Sequence, residues 1–137
     1  MRILFDTNVV LDVLLARTPY LRHSAWVFDQ AAEGRIRGLL GATTVTTIYY
    51  LSARSNGPRQ AGEQIEGLLR RYDVAAGDRA VLTEAAAGDF RDYEDAVLYH
   101  AARRADADGI VTRNEDDFIR ADMTVYRPGE LRAALEG

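Results

Sequence analysis

Cysteine is missing from these 137 residues, and so is lysine: all 17 cationic side chains are arginine. Without cysteine there are no disulfides, no thiolate metal ligands and no cysteine nucleophile, and a cytoplasmic setting is the expectation. Histidine occurs only at His23 and His100, without the H-E-x-x-H spacing of a zinc hydrolase. No glycine-rich phosphate loop, G-x-G-x-x-G turn or G-x-S-x-G elbow is present, so nucleotide-fold and serine-hydrolase readings lack their motifs. No apolar run approaches the roughly 20 residues that span a bilayer, so no membrane association is expected. A strand is expected to start within two residues of Met1, which leaves no signal peptide to expect. Positive charge is also in short supply. The net charge of −4 rules out a general basic field for nucleic acid. Any such substrate has to be held by local arginines and by a metal.

What is present is an alternation of short apolar runs with helix-periodic stretches, and no internal repeat. Length points to one domain, residues 1–137. Strands are expected at Arg2 to Phe5, Gly38 to Gly41, Asp73 to Ala75, Asp108 to Thr112 and Met123 to Tyr126. Helices are expected near Val9 to Leu15, Leu21 to Glu33, Thr43 or Thr44 to Gly57, Arg59 to Arg71, Asp78 to Ala87, Tyr93 to Arg104 and Pro128 to Leu135. Pro19, Pro58 and Pro128 fall at boundaries. Strands interleaved with helices imply an α/β fold with a mostly parallel central sheet of four to five strands, flanked by helices on both faces.

The chemistry concentrates in acid. Asp6 directly follows the apolar run Ile3-Leu4-Phe5, where open α/β sheets place their ligands, at the carboxyl end of a strand. An aspartate between strand and helix is ordinarily an N-cap, but Thr7 and Asn8 can serve that purpose, which frees Asp6 for a site. Asp12, one turn beyond Asn8, either reaches the same mouth or is solvated. Glu94 and Asp95 open a helix, where the macrodipole favours acid. Capping accounts for only one or two of Asp89, Asp92, Glu94 and Asp95. Asn114 and Asp117, after the strand ending at Thr112, are alternative places from which a side-chain oxygen re-enters the site, with Glu115 and Asp116 assigned to solvent. Carboxylates converging this way repel unless a cation holds them together, and all-oxygen ligation suits Mg²⁺ or Mn²⁺.

Three segments carry a resemblance: Phe5-Asp6-Thr7-Asn8-Val9-Val10-Leu11-Asp12, then Asp92-Tyr93-Glu94-Asp95-Ala96, then Val111-Thr112-Arg113-Asn114-Glu115-Asp116-Asp117-Phe118. Together they resemble the PIN-domain family of compact metal-dependent nucleases, and the chain's size resembles the VapC-type toxins of bacterial toxin–antitoxin pairs. The resemblance implies a ribonuclease that cleaves RNA phosphodiester bonds with Mg²⁺ or Mn²⁺, a small antitoxin partner and a homodimer. It implies Asp6, Asp95 and either Asn114 or Asp117 as metal ligands, with Glu94 in support. Thr7 or Asn114 would position a water, Asn8 is a supporting or substrate-binding candidate, and Arg113 is the expected phosphate contact. Thr47 stands where many members carry glutamate, and Asn114 where acid often follows Thr-Arg. Both differences remove charge. They leave open a catalytically depleted binding or regulatory module, and also a non-toxin RNA-processing nuclease.

Overall fold

The computed structural model describes residues Met1–Gly137. Its elements run β1 (Arg2–Phe5), α1 (Thr7–Leu14), α2 (Leu21–Ala32), β2 (Arg37–Gly41), α3 (Ala42–Asn56), α4 (Pro58–Arg71), β3 (Asp73–Ala75), α5 (Arg79–Ala87), α6 (Tyr93–Arg104), β4 (Gly109–Val111), a single 3₁₀ turn (Glu115–Phe118), β5 (Thr124–Tyr126) and α7 (Pro128–Glu136). The five strands form one sheet in the order β3-β2-β1-β4-β5. Every pairing is parallel, with Leu4 beside Leu39 on one side and Ile110 on the other. The expected α/β class, parallel sheet and helical layers are therefore present. No helix is long and apolar enough to cross a membrane.

The period-two pleat sorts the strand residues into two cores. Ile3, Phe5, Leu40 and Val111 point to a face covered by α1, α2 and α7, where Val9, Val27, Phe28 and Leu131 meet them. Leu4, Leu39 and Ile110 point to the opposite face and pack with Val81 of α5 and Val97, Leu98 and Ala101 of α6. Since β1 is buried on both faces and flanked by strands on both edges, its carboxyl end is fixed in position.

Two glycines in β2 decide how closely the layers approach. A Cβ on Gly38 would run into the ring of Tyr72, which packs edge-on against Phe5 at 5.1 Å between centroids. A Cβ on Gly41 would run into the Leu98 side chain of α6. The absence of that Cβ lets α6 settle onto the end of β2. Asp95 lies one turn before Leu98 on the same helix and is carried to the carboxyl edge of the sheet.

Two details depart from the sequence reading. Helix α1 starts at Thr7, two residues early, because Asp6 itself caps it. The 3₁₀ turn was not expected; it forms because Phe118, 1 % exposed, anchors the otherwise acidic segment in the second core.

Candidate metal centre

Asp6 is 6 % exposed at the mouth between β1 and β4. Its carboxylate accepts hydrogen bonds from Thr7 N at 2.7 Å, Thr112 Oγ1 at 2.7 Å and Asn8 Nδ2 at 3.3 Å. The bond from Thr7 makes Asp6 the N-cap of α1, which corrects the assignment of that job to Thr7 or Asn8. The two neighbours do other work. Asn8 ties the start of α1 to the loop leaving β4 by accepting from Arg113 N at 3.2 Å, and Thr7 Oγ1 meets Thr44 Oγ1 of α3 at 2.8 Å. Thr112, fully buried, also accepts from Asn114 N at 3.0 Å, which shapes the loop leaving β4.

Asp95 is half-buried in the first turn of α6, where its N–H donates to Oδ1 of the N-cap Asp92 at 3.1 Å. Burial pushes its carboxyl up to about 7, with the charges of Asp6, Asp92, Asp117 and Glu94 adding to the effect in that order. Burial also raises the Asp6 carboxyl above the ordinary carboxylate value. The hydrogen bonds from Thr112 and Thr7 oppose that rise, and the charges of Asp117 and Glu94 reinforce it. Acid from β1, α6 and the 3₁₀ turn thus acts on one place at the carboxyl edge.

A cleft of about 230 Å³ opens there, walled by Asp89, Asp92, Asp95, Asp116 and Asp117 together with Arg91 and Arg120. Asp117 and Glu94 are exposed, as is Asn114, whose side chain makes no hydrogen bond in capping the turn. Asp116, assigned to solvent from sequence, is exposed but belongs to the cleft wall. Glu115 instead pairs with Arg127 at 3.0 Å. Thr47 lies half-buried on α3, one turn beyond Thr44.

Two readings are corrected here. Asp12 is neither solvated nor at the mouth: it is fully buried and accepts from Arg113 Nε at 2.7 Å and Nη2 at 3.3 Å, with Arg17 at 3.8 Å. Arg113 is therefore not free for a phosphate. Its guanidinium is held by Asp12 and lies over the Tyr20 ring, 3.9 Å from the centroid. The sequence reading missed Thr112, Thr44, Arg91 and Arg120. Thr112 carried a signal, as a hydroxyl at the end of a buried strand; the two arginines carried none, because seventeen arginines are spread along the chain.

The donor set suits a hard divalent cation: the lone-pair donors in the cleft wall are carboxylate oxygens, standing beside Arg91 and Arg120, and the carboxylates' mutual repulsion is what a cation relieves. No three acidic or histidine side chains stand close enough to cage an ion unaided. An ion held by Asp6 and Asp95 would take its remaining ligands from water, as Mg²⁺ commonly does.

Residues 2–116 match the sequence model of the PIN domain. A sequence search of curated proteins finds no match. Among solved structures, the fold is similar to VapBC2 from Rickettsia felis bound to a DNA fragment from its promoter, at 13% identity and TM-score 0.68, covering 93% of this chain and 98% of that one. It is also similar to a toxin-antitoxin complex from Klebsiella pneumoniae (18%, 0.69, covering 91% and 96%) and to FitAcB from Neisseria gonorrhoeae (20%, 0.66, covering 93% and 98%).

Proposed function

This chain belongs to the PIN-domain family, and on that premise we propose that it is a Mg²⁺- or Mn²⁺-dependent endoribonuclease, the toxin of a toxin–antitoxin pair. The observation that carries the reading is the electrostatic coupling of Asp95 to Asp6. They lie on elements far apart in sequence, yet the Asp6 charge helps lift the Asp95 carboxyl to about 7. That pair is costly to the fold unless a cation is bound.

Asp6 and Asp95 hold the ion, and Asp117 and Glu94 add negative charge around it. When bound, a divalent cation polarises a phosphodiester and makes a coordinated water more acidic. The chain's own part is orientation. Thr112, Asn8 and the Thr7 amide fix the orientation of the Asp6 carboxylate. Asn114, with an uncommitted side chain beside Thr112, orients a water. Arg91 and Arg120, in the cleft wall, replace Arg113 as the groups that meet substrate phosphates. They do locally what a net charge of −4 cannot do globally.

One similar solved structure is a toxin-antitoxin complex, and a small antitoxin covering the acidic cleft is the partner we assign here. A homodimer and a cytoplasmic location complete the reading. The experiment is cleavage of structured RNAs with Mn²⁺ or Mg²⁺, with Asp95→Ala as control. Metal-dependent cutting by the parent alone is the expected result, and equal cutting by Asp95→Ala overturns the assignment.

One observation favours a second reading, a charge-depleted member working as a binding or regulatory module. Thr47 and Asn114 supply no carboxylate, and no three-ligand cage is formed by the chain alone. No metal uptake at millimolar concentration would select that reading.

A further inference from the structure

A second cavity, about 470 Å³, opens on the other side of the loop that leaves β4, between the starts of α2 and α7. Tyr20, His23, Ser24, Arg113, Arg127 and Pro128 line it. Its volume is that of a small-molecule site, and its walls are flat: a tyrosine ring, an imidazole and a proline.

Charge decides what such a pocket suits. Arg113 is neutralised by Asp12, Arg127 pairs with Glu115 at 3.0 Å, and Glu130 adds a carboxylate that accepts from Arg127 N at 2.7 Å. With its cations matched by anions, the pocket is a poor trap for a free phosphate. It is well made for a neutral, planar ring. Arg113 covers Tyr20 at 3.9 Å, holding the ring in place while the residue stays 43 % exposed. Ser24 forms part of the wall, is 0 % exposed, and its hydroxyl has no hydrogen-bond partner anywhere in the protein. A buried hydroxyl without a partner costs about 1–3 kcal/mol. A ligand with a polar edge would remove that cost. Gly129 keeps the slot open, since a Cβ there would sit 3.4 Å from the His23 ring.

We propose that this cavity is a nucleobase subsite, in which a base of a single-stranded RNA stacks on Tyr20 and presents its hydrogen-bonding edge to Ser24. The assignment rests on the ribonuclease reading for the identity of the ligand. The cavity lies at the ends of β4 and β5, and β5 is two strand spacings, about 10 Å, from β1 and Asp6. A strand crossing the carboxyl edge over the loop Thr112 to Asn114 puts one phosphodiester at the acidic cleft and a neighbouring base in the pocket. The pocket thereby sets base preference next to the cut.

The test is calorimetric titration of the full chain, in EDTA, with the four nucleoside 5′-monophosphates and with ribose 5-phosphate. At least one nucleotide binds about tenfold or more tightly than ribose 5-phosphate, the scale of one base–aromatic stack. Gly129→Val, which fills the slot, abolishes that difference while circular dichroism stays unchanged. Ser24→Ala alters the ranking of the four bases. Absence of nucleotide binding, equal binding of ribose 5-phosphate, or indifference to Gly129→Val overturns the subsite. Because no metal is present, the two readings fail separately. A chain that binds nucleotides and cuts no RNA sinks the nuclease alone; one that cuts RNA and binds no nucleotide sinks the pocket alone.

Discussion

Thr112 Oγ1 donates a 2.7 Å hydrogen bond to Asp6 Oδ2 across 106 positions of sequence, joining the ends of two neighbouring strands inside the protein. On the proposed reading, the bond fixes which face of the Asp6 carboxylate would be left for a cation. Hydrogen bonds behind a metal ligand typically govern affinity by 10–100-fold. Thr112→Val, nearly isosteric, is therefore expected to weaken Mn²⁺ binding about tenfold and to lower stability by about 1–3 kcal/mol. Titration calorimetry and urea unfolding check the two effects. Unchanged metal affinity would show that Thr112 does not orient Asp6.

The pH dependence of stability follows from Asp95, whose carboxyl is raised from 3.8 to about 7 in the fold. The folded state holds the proton more tightly than the unfolded chain. The contribution is therefore complete below about pH 4 and is lost as pH rises towards and through 7. Discounted for the solvent that reaches a half-buried group, the loss is ~1–2 kcal/mol. Asp6, also raised, acts in the same direction. In EDTA the thermal midpoint falls between pH 4.5 and 7.5, and Asp95→Asn flattens that fall. A midpoint that climbs over the same interval in the parent would contradict the placement of Asp95.

Much of this was legible in the sequence because the signals are local. Three apolar residues ending in Asp6 mark a buried strand and its ligand edge, and acid at Glu94 and Asp95 marks a helix start. Asp12 was not legible. Its sequence position leaves it either at the mouth or in solvent, and the packing of Arg113 from β4's exit loop, 101 positions away, with Arg17 at 3.8 Å, makes its burial affordable. The same ion pair removed Arg113 from the phosphate role its sequence position suggested. The roles of Arg91 and Arg120 depend on how the 3₁₀ turn folds beside α6, and no local pattern announces that turn. Thr47 and Asn114 illustrate the reverse case, since a missing carboxylate is visible in sequence although its consequence for metal count is not.

The Asp12–Arg113 pair yields a stability prediction. Removing one partner of a buried pair costs about 3–5 kcal/mol, because the other charge is left uncompensated. Asp12→Ala is expected to cost that much in urea unfolding, and Arg113→Ala less, because Arg17 remains 3.8 Å from Asp12. The double variant Asp12→Leu with Arg113→Met recovers most of the loss. A cost below about 1 kcal/mol for Asp12→Ala would show that the pair is open to water.

Thr47 offers a gain-of-charge test. Thr44, one turn earlier on α3, touches Thr7 beside Asp6 at 2.8 Å, so position 47 shares the face that approaches the site. Thr47→Glu is expected to tighten Mn²⁺ binding about tenfold, or to add a second binding event in calorimetry. It also lowers the midpoint of the metal-free protein at pH 8 through added repulsion. No change in either quantity would place residue 47 outside the site.

The most direct measurement is a calorimetric titration of Mn²⁺ into the purified chain at pH 7.5, run beside Asp95→Asn. The account predicts saturable binding with release of protons, as the raised carboxyl of Asp95 ionises on taking up the ion, and loss of that binding in the variant. Heat no greater than dilution in the parent, or identical isotherms for parent and variant, would contradict it.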